Sequence, residues 1–116
     1  MITKLSSKPE VFNHLEGEHL WFRLGFDTCS CQYAYVALQF KHDEGLIHVE
    51  VTRWTPSVVT QAKKDWEGIL EICKENGCRL LVAANPSSEH FREWTKFIGM
   101  FGFPEPQLIM ISQREI

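Results

Sequence analysis

The sequence predicts an α/β chain in which antiparallel strands lead into a β-α-β-α unit and a C-terminal strand. Three observations carry this. Gly45 to Phe103 alternates strand and helix patterns, the order that builds a parallel strand pair with a crossover helix. Gln32 to Phe40 (QYAYVALQF) is nearly uncharged and rich in β-formers, as in a central strand covered on both faces. Gly and Pro punctuate the ends of the patterned segments.

The 116 residues suffice for one domain, residues 1–116, and are too few for two. Apolar residues make up 44%, which supports a real core. The formal charge of −3 gives no basic footprint for nucleic acid. Met1 to Glu10 has no apolar run before a cleavage site, so no secretory signal is expected. The longest uncharged run, Thr28 to Phe40, is too short to span a bilayer as a helix, so no membrane partner is expected.

In chain order, Ile2–Leu5 fits a short edge strand. Ser6-Ser7-Lys8-Pro9-Glu10 fits a helix start, with Val11, Phe12 and Leu15 as its apolar face and Gly17 as its stop. Leu20, Phe22, Leu24 and Phe26 alternate as in a strand, which is preferred over a helix face formed by Leu20, Trp21, Leu24 and Gly25. Asp27 to Ser30 reads as a turn. Lys41 to Gly45 reads as a five-residue hairpin loop.

Leu46 to Trp54 is the next strand. Ile47, Val49 and Val51 share one face, and His48, Glu50 and Thr52 the other. That polar row is the most suggestive chemical feature. Thr55-Pro56-Ser57 caps a helix whose inward side is Val58, Val59, Ala62, Trp66, Ile69, Leu70 and Cys73. Asp65 falls among the polar residues around it, in a mixed solvated face with Lys63, Lys64 and Lys74. Asn76-Gly77 is the C-cap. Arg79–Ala84 is a short apolar strand, ended by Asn85-Pro86. Glu89 to Met100 is a second helix, Gly102-Phe103-Pro104 its stop, and Gln107 to Gln113 the last strand.

Cys29 and Cys31 form C-x-C rather than a zinc or redox C-x-x-C, and Cys73 and Cys78 do not complete a zinc spacing. Four reduced, mostly buried thiols are expected. His42 and His90 read as surface positions, and no metal site is expected from them, His48 and the cysteines. Trp21 and Trp54 are the aromatics least explained by helix periodicity. Exposed, they would suit a protein contact.

The order of polar-faced strand, helix, short apolar strand and helix, with Asn85 after the apolar strand and Gly102-Phe103 closing the second helix, resembles the GNAT (Gcn5-related N-acetyltransferase) fold over roughly residues 32–113. The HVEVTRWTP strand, Lys64-Asp65-Trp66, and the Phe97 to Phe103 close also look like small GNAT-like proteins of tailed phages, of head-assembly or internal virion type. That resemblance implies a mixed sheet and an acyl-CoA pyrophosphate site on backbone amides between the polar-faced strand and its helix. The matching residues are Trp54, Thr55, Ser57, Val58 and Val59, together with Asn85 after the apolar strand. It also implies a base on the strand, for which Glu50, with His48 beside it, is the candidate. The family signature there is Arg or Gln, two residues, Gly, one residue, Gly or Ala. Here Arg53 to Val59 has no glycine, and Pro56 removes an amide. The family's acidic Tyr position is Ile98, and the stretch from Asn85 to Gly102 is longer than usual.

Two function classes stay open. One is a non-catalytic phage protein without a cofactor, acting through phage or host protein contacts in the host cytoplasm or virion. The other is a cytoplasmic acetyl-CoA-dependent N-acyltransferase with a glycine-free loop. The missing glycines favour the first. An inhibitor of a host defence enzyme ranks below both.

Overall fold

The computed structural model describes residues 1–29, 31–84, 96, 99 and 111–115. They form a mixed sheet of six strands in sequential order, β1 (Ile2–Leu5), β2 (Leu20–Gly25), β3 (Gln32–Lys41), β4 (Glu44–Val51), β5 (Leu80–Ala84) and β6 (Ile111–Glu115). One helix, α1 (Pro56–Glu75), crosses from β4 to β5. All neighbouring strands are antiparallel except β4 and β5, which are parallel. No helix of the described residues is long and apolar enough to cross a membrane.

The alternation of β2 holds as read, and the uncharged run from Gln32 forms the inner strand β3. Leu20, Leu38 and Ile47 align across the sheet, as do Phe22, Val36 and Val49. This face packs with Val58, Ala62, Ile69 and Cys73 of α1. The opposite face carries Trp21, Ala37 and His48 in one row and Arg23, Tyr35 and Glu50 in the next.

Several expectations change. The opening helix is only a 3₁₀ turn, Glu10–Phe12. Phe12 is buried but Val11 is exposed, too little apolar face to hold a longer helix. Gly17 still turns the chain, with φ +89°. The hairpin loop shrinks to His42 and Asp43, because Lys41 and Glu44 pair. His42 takes the left-handed φ of 59° that the tight turn needs. β4 stops at Val51 rather than Trp54. Of the second helix expected over Glu89–Met100, only Lys96 and Gly99 are described, and both are helical; the rest of it and its Gly102-Phe103 stop lie outside the described residues, while the last strand runs to Glu115.

The end of α1 follows its sequence. Gly77 has φ +73°, which a side chain would resist. Its N–H donates to Lys74 O at 3.0 Å, and Cys78 N–H donates to Cys73 O at 3.0 Å. This is the paired closure that a left-handed glycine permits at a helix end.

Asp65 is the largest departure. It is 6% exposed, not solvated. Its carboxylate accepts from the Tyr33 hydroxyl at 2.6 Å and from the N-terminal ammonium of Met1 at 2.8 and 2.9 Å. A bulge aims Tyr33 at it. Leu24 pairs with Ala34 but Gly25 with Gln32, so Tyr33 is the extra residue on β3. Burial, and then Asp65, push the Tyr33 hydroxyl well above its ordinary pKa. Nearby Asp27 pairs with Lys64, which holds its carboxyl down to about 2.

Removing one partner of a buried polar pair leaves the other unsatisfied. Tyr33→Phe is expected to lose about 1–3 kcal/mol of unfolding free energy. Asp65→Ala strands the same Tyr33 hydroxyl, while the half-exposed Met1 ammonium keeps Asp27, and is expected to lose a similar amount, about 1–3 kcal/mol. Urea unfolding checks both, and a Tyr33→Phe protein as stable as the parent would show the bond to be dispensable.

Candidate functional site

The site follows from where β4 loses a neighbour. β4 pairs with β3 from Glu44 to Val51. It pairs with β5 only from Glu44 to Ile47. His48 to Val51 therefore have no strand beside them on that edge among the described residues. Open backbone groups on a strand edge can bond an extended ligand that carries amides.

The same edge runs into the start of α1. Thr52 N–H and Arg53 N–H both donate to Tyr33 O, at 2.8 and 3.3 Å, which fixes the turn. Thr55 has the extended backbone of an N-cap, but its side chain caps nothing. Its hydroxyl is instead 3.0 Å from the Ser57 hydroxyl. The first turn of α1 has no acidic residue. Among the described residues no side-chain cap bond closes this end, and the helix dipole makes it positive.

The predicted cofactor residues fall unequally around this turn. Trp54, Thr55 and Ser57 are exposed, and Val59 is half-buried. Val58 is buried at 1% and belongs to the core. Its N–H donates to Thr55 O at 3.0 Å, so this amide is already used. Pro56 opens the helix and brings no N–H of its own. Asn85 and Ile98 lie outside the described residues. What remains for an anion is the open helix end with Arg53 before it, and that set fits a phosphate better than a neutral group.

His48 and Glu50 sit on the face away from α1, beside the open edge. Glu50 is exposed. His48 is half-buried, and its Nδ1 has no hydrogen-bond partner among the described residues. Burial, and then the charges of His19 and His14, hold its pKa down to about 4. Its ring lies 6.3 Å from that of His19, which stacks on Trp21 at 4.8 Å. Trp21 in turn stacks on Phe12 at 5.8 Å. Trp21 is thus a packing residue, whereas Trp54 is 43% exposed. Sequence spacing does not place His14 and His19 near His48. The strand register does, through Trp21, Ala37 and His48.

Among the described residues no group of three His, Cys, Asp or Glu is placed to hold a metal. The cysteines divide. Cys73 and Cys78 are buried, but Cys29 is exposed and Cys31 half-buried, against the expectation of mostly buried thiols. A cleft of about 530 Å³ lined by Gly17, His19, Trp21, Leu38, Phe40 and Asn76 lies toward the C-terminal end of α1, away from the open edge.

No protein-family model matches this chain, and no curated protein sequence matches it. Solved structures do. YhhK from E. coli, an N-acetyltransferase by description and bound to coenzyme A, aligns over 100% of this chain and 98% of its own, with TM-score 0.63 and 15% identity. The fold is GNAT-like. The ribosomal-protein-S18-alanine N-acetyltransferase from Escherichia coli aligns over 100% of this chain and 93% of its own, with TM-score 0.65 and 17% identity. The PaiA N-acetyltransferase from Thermoplasma acidophilum, in complex with coenzyme A, aligns over 91% and 66%, with TM-score 0.60 and 13% identity. In this GNAT-like frame the end of β4 that lacks a β5 partner among the described residues runs into the start of α1.

The state of His48 can be read from stability. Its folded pKa lies below its ordinary value, so the unfolded chain binds the extra proton first as pH falls. The stabilising contribution is full above pH 6.5 and is lost progressively toward pH 4. Discounted for solvent that still reaches the ring, the loss is about 1–2 kcal/mol. Unfolding titrations across that range should show it, and His48→Gln should flatten that part of the profile.

Proposed function

We propose that the chain binds an acyl-CoA at the open edge of β4 and the start of α1, and catalyses N-acylation of an amine. The observation that carries this is the continuity, among the described residues, of the unpaired edge His48–Val51 with a helix end whose N-cap side chain makes no cap bond. Extended backbone there offers hydrogen bonds to amides, and the helix end and Arg53 offer positive potential to phosphates. Two of the similar structures are bound to coenzyme A, which supports the same class of ligand here.

A bound acyl-CoA would supply an activated thioester carbonyl. The chain's own part is to orient that carbonyl along β4 and to take a proton from the attacking amine. Glu50 is the base in this reading, because it is exposed beside the edge. With its pKa down at about 4, His48 is a weak base and serves as a neutral hydrogen-bonding neighbour.

A second reading is supported by Trp54, exposed at 43% beside the glycine-free turn. A large aromatic at that position suits a protein contact. In that reading the frame is a non-catalytic phage protein of the head-assembly or virion type.

Calorimetry with acetyl-CoA separates the two. The acyltransferase reading expects a dissociation constant near about 1–100 μM, or roughly 5–8 kcal/mol. Arg53→Glu should weaken binding by about tenfold or more, as one reversed charge near a phosphate does. Glu50→Gln should lower turnover and leave binding in place. No binding at about 1 mM acetyl-CoA overturns the acyltransferase and leaves the contact reading.

A further inference from the structure

The turn between β2 and β3 carries the only thiols among the described residues that reach solvent. Phe26 N–H donates to Cys31 O at 2.9 Å and closes the base of this turn. Within it, Cys31 N–H donates to Cys29 Sγ at 3.4 Å, and Cys31 Sγ lies 3.7 Å from Cys29 O. Both contacts join Cys31 to Cys29. Arg53 is held at the same end of the sheet by its backbone bond to Tyr33 O, and its charge reaches both sulfurs.

We propose that Cys29 and Cys31 form a thiol–disulfide exchange site for an anionic small-molecule disulfide, with Cys29 the attacking and Cys31 the resolving thiol. Exposure sets the order, since Cys29 is exposed and Cys31 is half-buried behind it. The hydrogen bonds point the same way. The Cys31 side chain and then its amide, which donates to Cys29 Sγ, draw the Cys29 pKa down, with a smaller contribution from Arg53, while the neighbouring Cys29 side chain raises Cys31. A thiolate is the reactive form, and positive surroundings favour it. Cys73, by contrast, is buried and pushed up to about 12.

The chemistry balances as two exchanges. The Cys29 thiolate attacks one sulfur of the small disulfide, forming a mixed disulfide and releasing one thiolate. Cys31, having given its proton to solvent, attacks Cys29 Sγ. The Cys29–Cys31 bond forms, and the second thiolate leaves. The protein loses two electrons and two protons, and the small disulfide becomes two thiols. Arg53 makes an anionic disulfide the favoured partner by raising its local concentration. This site does not depend on acyl-CoA binding.

The test uses the reduced full chain with oxidised glutathione at neutral pH, quenched by acid and mapped by peptide mass. The expected product is a Cys29–Cys31 disulfide with Cys73 and Cys78 unmodified. Cys31→Ser should stop at a glutathione adduct on Cys29, and Cys29→Ser should react about tenfold more slowly or less. Arg53→Gln should slow the reaction with oxidised glutathione but not with neutral hydroxyethyl disulfide. Circular dichroism should show each variant folded as the parent. Modification first at Cys31, or a Cys29 in Cys31→Ser no faster than a cysteine in a short peptide, would overturn the proposal.

Discussion

A strand can hydrogen-bond along two edges, and among the described residues β4 uses its second edge for only half its length. At its first residues the attachment to β5 is close. A Cβ on Gly45 would lie 2.8 Å from Cys78 Sγ and 3.1 Å from Leu81 Cδ1, so only glycine lets the strands approach. Asp43 O accepts from Arg79 N–H at 2.6 Å and from Leu80 N–H at 3.3 Å, which ties the hairpin turn to the start of β5. Past Ile47 no further pairing on this edge is seen among the described residues. Tight attachment at one end and an open edge at the other place a gap where α1 begins.

Tyr33 holds both sides of that gap. Its hydroxyl reaches Asp65 on α1, and its carbonyl receives Thr52 and Arg53 from the turn before α1. The bulge makes this double use possible, because a paired residue would turn its side chain to the other face. Strand end, turn and helix are therefore positioned through one residue of β3. The geometry of the candidate site is set by the core rather than by the exposed turn.

The order of elements was legible in the sequence because it rests on local signals. Alternation placed β2 and β4, an uncharged run of β-formers placed β3, helical spacing placed Val58 to Cys73, and Asn76-Gly77 marked the end of α1. What was not legible depends on partners distant in sequence. Asp65 sits among lysines and glutamates on α1, and only the bulge, 32 residues earlier in the chain, makes it a buried acceptor. The opening helix reads well from its caps but lacks enough buried face to exceed one 3₁₀ turn. Of the candidate site, the polar row of His48 and Glu50 was visible from period alone. The histidines and Trp21 around His48 come from strand register, which the sequence does not state.

The glycine-free turn takes on a different meaning with the backbone in view. Glycine helps an anion site by letting backbone amides approach closely. Here Pro56 occupies a helix-opening position, where an N–H has no intrahelical partner in any case. The donor more plainly lost is that of Val58, which bonds to Thr55 O and whose side chain is anchored in the core. Fewer free amides leave more of the attraction to the helix dipole and to the Arg53 charge, both long-range and screened by salt. Any phosphate held at this turn should therefore be held by field more than by a fitted cradle, and its affinity should fall with ionic strength more steeply than in a glycine-built loop.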